Sequence, residues 1–169
     1  GDAQLGPSFV RAGERLLAVN GVNAVAVDLA TNTRWDMEPV GEFRLQNNHG
    51  RIALSADGRV AALIGQAGND EVIIIWDIEE NTRRPILPAS GASGSRVSLA
   101  PDGQVLALAR VGDEGFAGDE WVHLHNLNDD SLIFSIRPPE GSTAFGRSQP
   151  GARFSPDGRI LAIAVMPAQ

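Results

Sequence analysis

Histidines are the side chains in this sequence best suited to bind a metal or transfer a proton near neutral pH. His123 and His125 are separated by one residue, so on a β-strand both imidazoles point to the same face. Two imidazoles on one face can begin a metal site. A third ligand is not apparent in the sequence, and His49 is distant along the chain. We therefore expect His123 and His125 to pack or hydrogen-bond within the fold, and we predict no metal site.

The acidic stretch GDEGFAGDE, residues 112–120, raises the question of calcium, because carboxylates are hard oxygen ligands. A calcium loop alternates its acidic and amide residues around a central glycine, and this stretch does not. We predict that it forms a solvated loop without a bound cation.

Catalytic arrangements are also missing from the sequence. It contains no cysteine and no lysine, which excludes thiolate chemistry, Schiff bases and a P-loop lysine. Serine does not occur in a Gly-x-Ser-x-Gly elbow. The acidic pairs Asp129-Asp130 and Glu79-Glu80 fall in turn-like segments, and Trp35, Trp76 and Trp121 are explained by packing. We predict a protein that is not an enzyme and needs no cofactor.

Charge and hydropathy restrict the partners. The net charge is −7, and all 14 basic residues are arginine, a usage that we associate with a bacterial source. This acidic balance argues against a general nucleic-acid binder, which needs a basic face. No apolar run approaches the roughly 20 residues that span a bilayer. We expect no membrane span and favour the cytoplasm, while a periplasmic or secreted location stays open.

The elements that would position any site come from an internal repeat. Glycines that follow a polar turn occur at Gly13, Gly58, Gly103 and Gly158, at steps of 45, 45 and 55 residues. A second set of equivalent positions, Val27, Trp76 and His125, is spaced by 49 and 49 residues. Two independent measures agree on one period, so the chain consists of repeated supersecondary units.

Each unit has the pattern of β-strands. Runs such as RVAALI, EVIIIWDI, QVLALA and RILAIAV are short, aliphatic and β-branched, and turn residues bound them. In SPDG, Pro156 presets the backbone, Asp157 tolerates the next position and Gly158 can adopt positive φ, which closes a hairpin. Further turns are expected at ATNT, EENT and NDDS. The sequence therefore predicts an all-β chain of antiparallel meanders.

Four segments of the sequence resemble WD40 repeats, namely SPDGRILAIA, APDGQVLALA, SADGRVAALI and EVIIIWDIEENTRRPIL. In the last of these, Trp76-Asp77 stands in the place of the dipeptide that names the family. The resemblance implies a β-propeller with four-stranded blades over roughly residues 8–169. It is incomplete, because the Gly-His dipeptide is missing and Trp76-Asp77 becomes Val27-Asp28 and His125-Asn126 in the other units. The hydrogen-bond network of the family is therefore not transferred, and we expect the blades to be held by aliphatic packing and turn geometry.

We predict one domain, residues 1–169, with blades at about 8–40, 51–87 and 96–136 and a half blade at 151–169. Since a closed propeller needs 4 to 8 blades, about three and a half blades indicate a partial propeller. We favour a piece of a longer chain. Pairing with a second copy or another partner, and an unusual short propeller, are the alternatives.

Loop lengths suggest where a partner would bind. The connections from second to third strand grow along the chain, and the last connection between blades is also long; insertions on one side of a repeat array commonly mark its binding side. The predicted contact residues in these connections are Arg110, Asp113, Glu114, Phe116, Asp119, Glu120, Phe145 and Arg147. A solvated loop that merely tolerates changes of length is the competing explanation.

The resemblance implies a non-catalytic scaffold that binds a protein partner. A regulatory or sensor domain of a larger bacterial enzyme, such as a kinase, protease or NTPase, is the first alternative. An exported propeller that binds a ligand is the second.

Overall fold

The computed structural model describes residues 8–20, 23–37, 43–45, 51–68, 70–88, 96–109, 122–137 and 152–164. Within these ranges every regular element is a β-strand, which confirms the predicted all-β class. None of the described residues forms a helix of the length and hydrophobicity that crossing a membrane requires.

Two complete antiparallel meanders form the first and third sheets. The first sheet consists of β1 (Ser8–Ala12), β2 (Arg15–Asn20), β3 (Asn23–Asp28) and β4 (Arg34–Met37), in chain order. The third consists of β10 (Arg96–Leu99), β11 (Val105–Ala109), β12 (Val122–Asn126) and β13 (Leu132–Ile136), also in chain order. These are the four-stranded blades that the repeat predicts.

The second sheet has a divided first strand. Its strands are β5 (Phe43–Leu45), β6 (Ile52–Leu54), β7 (Val60–Ala67), β8 (Asp70–Asp77) and β9 (Thr82–Pro88). Both β5 and β6 pair with β7, one beyond the other, so together they occupy the position of a single strand. β5 precedes Arg51, the predicted start of the second blade. A fourth sheet contains the two described strands β14 (Ala152–Phe154) and β15 (Leu161–Ile163).

The turns between first and second strands have the predicted chemistry. Gly58, Gly103 and Gly158 have φ values of 73°, 70° and 72°, a region that side chains with a Cβ avoid. In the fourth sheet the Gly158 amide donates to the Ser155 carbonyl at 2.9 Å, which closes the turn. The Ser155 hydroxyl donates to the Asp157 carboxylate at 2.6 Å and accepts from the Ile160 amide at 3.0 Å. Local side-chain hydrogen bonds therefore fix these hairpins.

Turns between third and fourth strands repeat a different device. Asn32, Asn81 and Asp130 adopt positive φ, as short polar side chains can in left-handed positions. Asp28, the last residue of β3, accepts hydrogen bonds from the amides of the following turn, including that of Thr31 at 2.9 Å. The predicted side-chain-to-backbone hydrogen bonds in these segments are thus present.

The sheets stack through three hydrophobic clusters, one at each junction between neighbours. Leu17 and Val19 of the first sheet pack with Leu63 and Trp76 of the second, all fully buried. Aliphatic residues then join the second sheet to the third, and a smaller cluster around Val122 joins the third to the fourth. The second and third sheets therefore bury both faces against their neighbours, as propeller blades do, and the first and fourth sheets each bury one.

First strands of successive sheets lie beside one another, since β1 contacts β6, β6 contacts β10 and β10 contacts β14. Antiparallel pairing places the turns from first to second and from third to fourth strand at one end of the sheets, which we call the turn end. The connections from second to third strand, and from sheet to sheet, leave from the opposite end, which we call the loop end.

Candidate functional site

At the turn end, Arg15, the first residue of β2, connects the first sheet to the second. Its guanidinium donates to the Gly58 carbonyl at 3.3 Å and lies 3.5 Å from a Glu79 oxygen, both in the second sheet. Within its own sheet it lies 3.4 Å from Asp28 and sits 4.4 Å above the Trp35 ring, in cation–π geometry. Arg15 thus links the turns of the first two sheets.

A similar link joins the second and third sheets. Arg84 of β9 donates to the carboxylate of Asp130 and to the carbonyl of Leu127, both in a turn of the third sheet. The Ala56 amide also donates to the Pro101 carbonyl at 2.9 Å. The described polar groups of the turn end are therefore largely satisfied by contacts within the protein.

From the carboxylates of the turns we predict that the stability of the protein falls in acid. The Ser155 hydroxyl lowers the pKa of Asp157, and the Ser131 hydroxyl lowers that of Asp129. A carboxyl whose pKa is depressed by folding stabilises the protein above its unfolded pKa, about 3.9. That stabilisation is lost as the pH falls through the folded value. We expect the urea midpoint of the parent to exceed that of Asp157→Asn at pH 6, and the difference to shrink as the pH falls through the lowered folded pKa of Asp157. A difference independent of pH would contradict this role.

The loop end is best defined in the third sheet, where Arg96, Ala109, Val122 and Ile136 are paired in one row across the four strands. The connection 110–121 leaves from Ala109 and returns at Val122, and the connection 138–151 follows β13 toward β14. All eight predicted contact residues belong to these two connections. They lie outside the described residues, so their role stays a prediction.

Arginines lie on or next to β6, β10 and β14, the adjacent first strands that we call the inner strands, close to this end. Arg51 directly precedes β6, Arg96 begins β10, and Arg153 is the central residue of β14. The Arg51 guanidinium pairs with the Glu71 carboxylate at 3.0 Å, and both side chains are buried. The motifs and loop lengths of the sequence do not single out these residues. The 45-residue step between Arg51 and Arg96 is a signal that could have found two of them.

The two histidines of β12 lie on one face, as predicted, with ring centroids 6.1 Å apart. They pair with Leu106 and Leu108, which face the second sheet. Among the described residues, no group of three metal-ligating side chains comes together. The histidine pair therefore packs between sheets with no described third ligand.

Comparison with known proteins supports the fold. A 65-residue segment is 37% identical to the spindle assembly checkpoint protein bub3 of Schizosaccharomyces pombe, covering 38% of this chain and 20% of that protein. A chain of the mitotic checkpoint complex superposes with a TM-score of 0.62 and 14% identity, covering 98% of this chain and 48% of the other. Oligogalacturonate lyase from Vibrio parahaemolyticus superposes with a TM-score of 0.67 and 17% identity, covering 91% and 44%.

No family model matches the sequence. The chain spans less than half the length of each of these similar proteins. The structural similarities, at less than 20% identity, concern the fold. Together with the stacked antiparallel sheets and the Trp76-Asp77 unit, they show that this chain is a WD40-like partial β-propeller.

Proposed function

We propose that this chain is a protein-interaction scaffold whose partner binds at the loop end of the sheets. The observation that carries the proposal is the difference between the two ends. At the turn end, short hairpins are linked from sheet to sheet by Arg15, Arg84 and the Ala56 amide. The loop end carries the long connections 110–121 and 138–151.

Rigid support makes the loop end suitable for binding. β11, β12 and β13 are paired along their lengths, and the third sheet packs against neighbours on both faces. Connections anchored on such a scaffold can present side chains to a partner at little cost to the fold. The eight predicted residues combine charges with two phenylalanines, a mixture that suits an interface with an apolar centre and a polar rim.

The comparisons support binding of a protein partner. Bub3 is named as a checkpoint protein, and the superposed chain belongs to a crystallised multiprotein complex. Propellers with this function act by presenting a surface, and catalytic groups are unnecessary for that. We therefore propose that the partner is a protein and that this chain does not catalyse a reaction.

A paired set of loop variants tests the proposal. We expect Asp119→Ala/Glu120→Ala to melt at the parent temperature but to lose a partner protein that the parent retains in affinity purification. The matched control is Glu79→Ala/Glu80→Ala, which removes the same charge from exposed residues at the turn end. It also removes exposed ion pairs to Arg15 and Arg59, so its melting temperature is measured as well, and the folded control should retain the partner. Equal retention by both variants would exclude this loop, and loss with the control alone would place the interface at the turn end.

One observation favours a second candidate. Some structural neighbours are enzymes, among them the oligogalacturonate lyase and a prolyl endopeptidase of which this chain covers 26%. Under this alternative the chain is the regulatory propeller of a larger enzyme. Deleting residues 1–169 from the complete gene product would then change the kinetics of an activity located elsewhere in that product.

A further inference from the structure

The inner strands bring three arginines from consecutive sheets into one neighbourhood. β6 contacts β10, and β10 contacts β14. Arg96 therefore lies between Arg51 on one side and Arg153 on the other, close to the loop end. In a chain with a net charge of −7, this is a local concentration of positive charge.

Among the described residues, only part of this charge is compensated. Arg51 is buried against Glu71, as described above. In the described part of the chain, no carboxylate oxygen lies within the 4.0 Å ion-pair distance of the Arg96 or Arg153 guanidinium. Burial lowers the pKa of the Arg96 guanidinium, and the positive charges of Arg51 and Arg153 lower it further. The cluster therefore holds like charges together at a cost that an anion would offset.

Arginines at the turn end show the contrast. Arg15 contacts Asp28 and Glu79, and Arg59 contacts Asp77 and Glu80 at 3.0 Å each. These guanidinium groups already have their counter-charges and serve to join turns. Arg96, half-buried beside two other arginines, has no such structural partner among the described residues.

We propose that Arg51, Arg96 and Arg153 form an oxyanion-binding site that takes a carboxylate or phosphate group at the loop end. The proposal rests on the proposed function in one respect: the group belongs to the protein partner that binds there. Planar guanidinium groups bind both oxyanions through paired, charge-assisted hydrogen bonds. The Arg51–Glu71 pair shows that a buried arginine of this cluster already holds a carboxylate.

Each arginine has a distinct part in this site. Arg51 is fixed by Glu71 and supplies a positioned positive charge. Arg96 provides the donors that lack a described acceptor, and the exposed Arg153 side chain can close over the bound group. An anion placed between them is attracted most strongly where protein surrounds it, because a low-dielectric wall weakens screening by water.

The test uses the 169-residue chain and two simple probes, sodium phosphate and sodium citrate, titrated at constant ionic strength. Backbone amide resonances of β6, β10 and β14 report binding by nuclear magnetic resonance. We expect saturable shifts in these strands with at least one probe, and Arg96→Gln to weaken that binding by about tenfold or more, as loss of charged hydrogen bonds does. Arg159→Gln removes the same charge from the exposed hairpin turn of the fourth sheet, so its affinity should match the parent.

Saturable binding of phosphate, of citrate or of both would support the site if Arg96→Gln weakens it. The probe that binds more tightly identifies the preferred oxyanion. Absence of saturable shifts in the parent, or equal affinity in parent and Arg96→Gln, would overturn it. Should Arg96→Gln fail to fold by circular dichroism, Arg153→Gln takes its place, since that side chain is exposed. The probes act without the partner protein, so failure here leaves the loop-variant test of the scaffold function unaffected.

Discussion

Gly103→Val is expected to destabilise the protein by about 2–5 kcal/mol. Gly103 has a φ of 70°, and a residue with a Cβ loses about 1–2 kcal/mol in this region. A Cβ there would lie 2.9 Å from Val60 Cγ2 and 3.1 Å from Val60 Cβ, in the neighbouring sheet. Overpacking of this kind adds about 1–3 kcal/mol. Urea unfolding followed by far-ultraviolet circular dichroism measures the loss.

Gly58 and Gly13 complete the comparison. At Gly58 a new Cβ would lie 2.5 Å from Arg15 Cβ, so Gly58→Val should be as damaging as Gly103→Val. Gly13 has a φ of 54°, but a Cβ added there would meet no heavy atom within 4 Å, so Gly13→Val should lose only the backbone contribution of about 1–2 kcal/mol. Equal losses at Gly103 and Gly13 would mean that the turns do not pack against the preceding sheet.

These glycines show how much of the fold the sequence could predict. The need for positive φ follows from Asp-Gly turns alone, and the structure has it at Gly58, Gly103 and Gly158. The second requirement is the absence of a Cβ, because the preceding sheet packs directly against Gly58 and Gly103. It depends on residues about 45 positions away in the sequence. Local turn chemistry is visible in a single unit, whereas the packing between units appears only when the units are stacked.

The first strand of the second sheet shows a different limit. β5 pairs with the far end of β7 through Gly65, Gln66 and Ala67. Phe43–Leu45 is too short to show alternation on its own, and it precedes the repeat pattern that begins near Ile52. Only the unusual length of β7, residues 60–67, indicates that it has room for another partner.

The arginine cluster was harder to predict, because its residues are far apart in the sequence. In the sequence the prominent signal is loop length, which identifies the connections around residues 110–121 and 138–151. The arginines of the inner strands are scattered through the chain, and Arg51 and Arg96 look like ordinary strand-end charges. Their proximity follows from the radial arrangement of β6, β10 and β14, which brings one residue from each sheet together.

Side chains at equivalent positions of the repeat also differ in size and in how deeply they are buried. Trp76 pairs with Ala61 in the second sheet, and His125 pairs with Leu106 at the equivalent place in the third. Trp76 is fully buried between the first and second sheets, while His125 is half-buried. The second sheet therefore depends on one aromatic side chain more than its neighbour does.

Trp76→Ala is accordingly expected to destabilise the protein by about 3–5 kcal/mol, the usual loss for removing a large buried aromatic side chain. The indole fills the junction between the first two sheets, beside Leu17 and Leu63. Its Nε1 also donates to the Asn81 side-chain oxygen at 3.0 Å, in the turn that follows β8. The substitution thus leaves a cavity and also removes a hydrogen bond to the turn. Urea unfolding of parent and variant under identical conditions gives the difference.

Two further variants separate these contributions. Trp76→Phe keeps most of the apolar contact but lacks the indole N–H. We expect it to lower the free energy of unfolding by about 1–2 kcal/mol, because one hydrogen bond and a small volume are lost. Trp35→Ala removes a half-buried tryptophan of the first sheet and should be less damaging than Trp76→Ala. Because each sheet hides its apolar faces only against its neighbours, a small loss at Trp76, matching that at Trp35, would mean that the first two sheets are not held together at this junction.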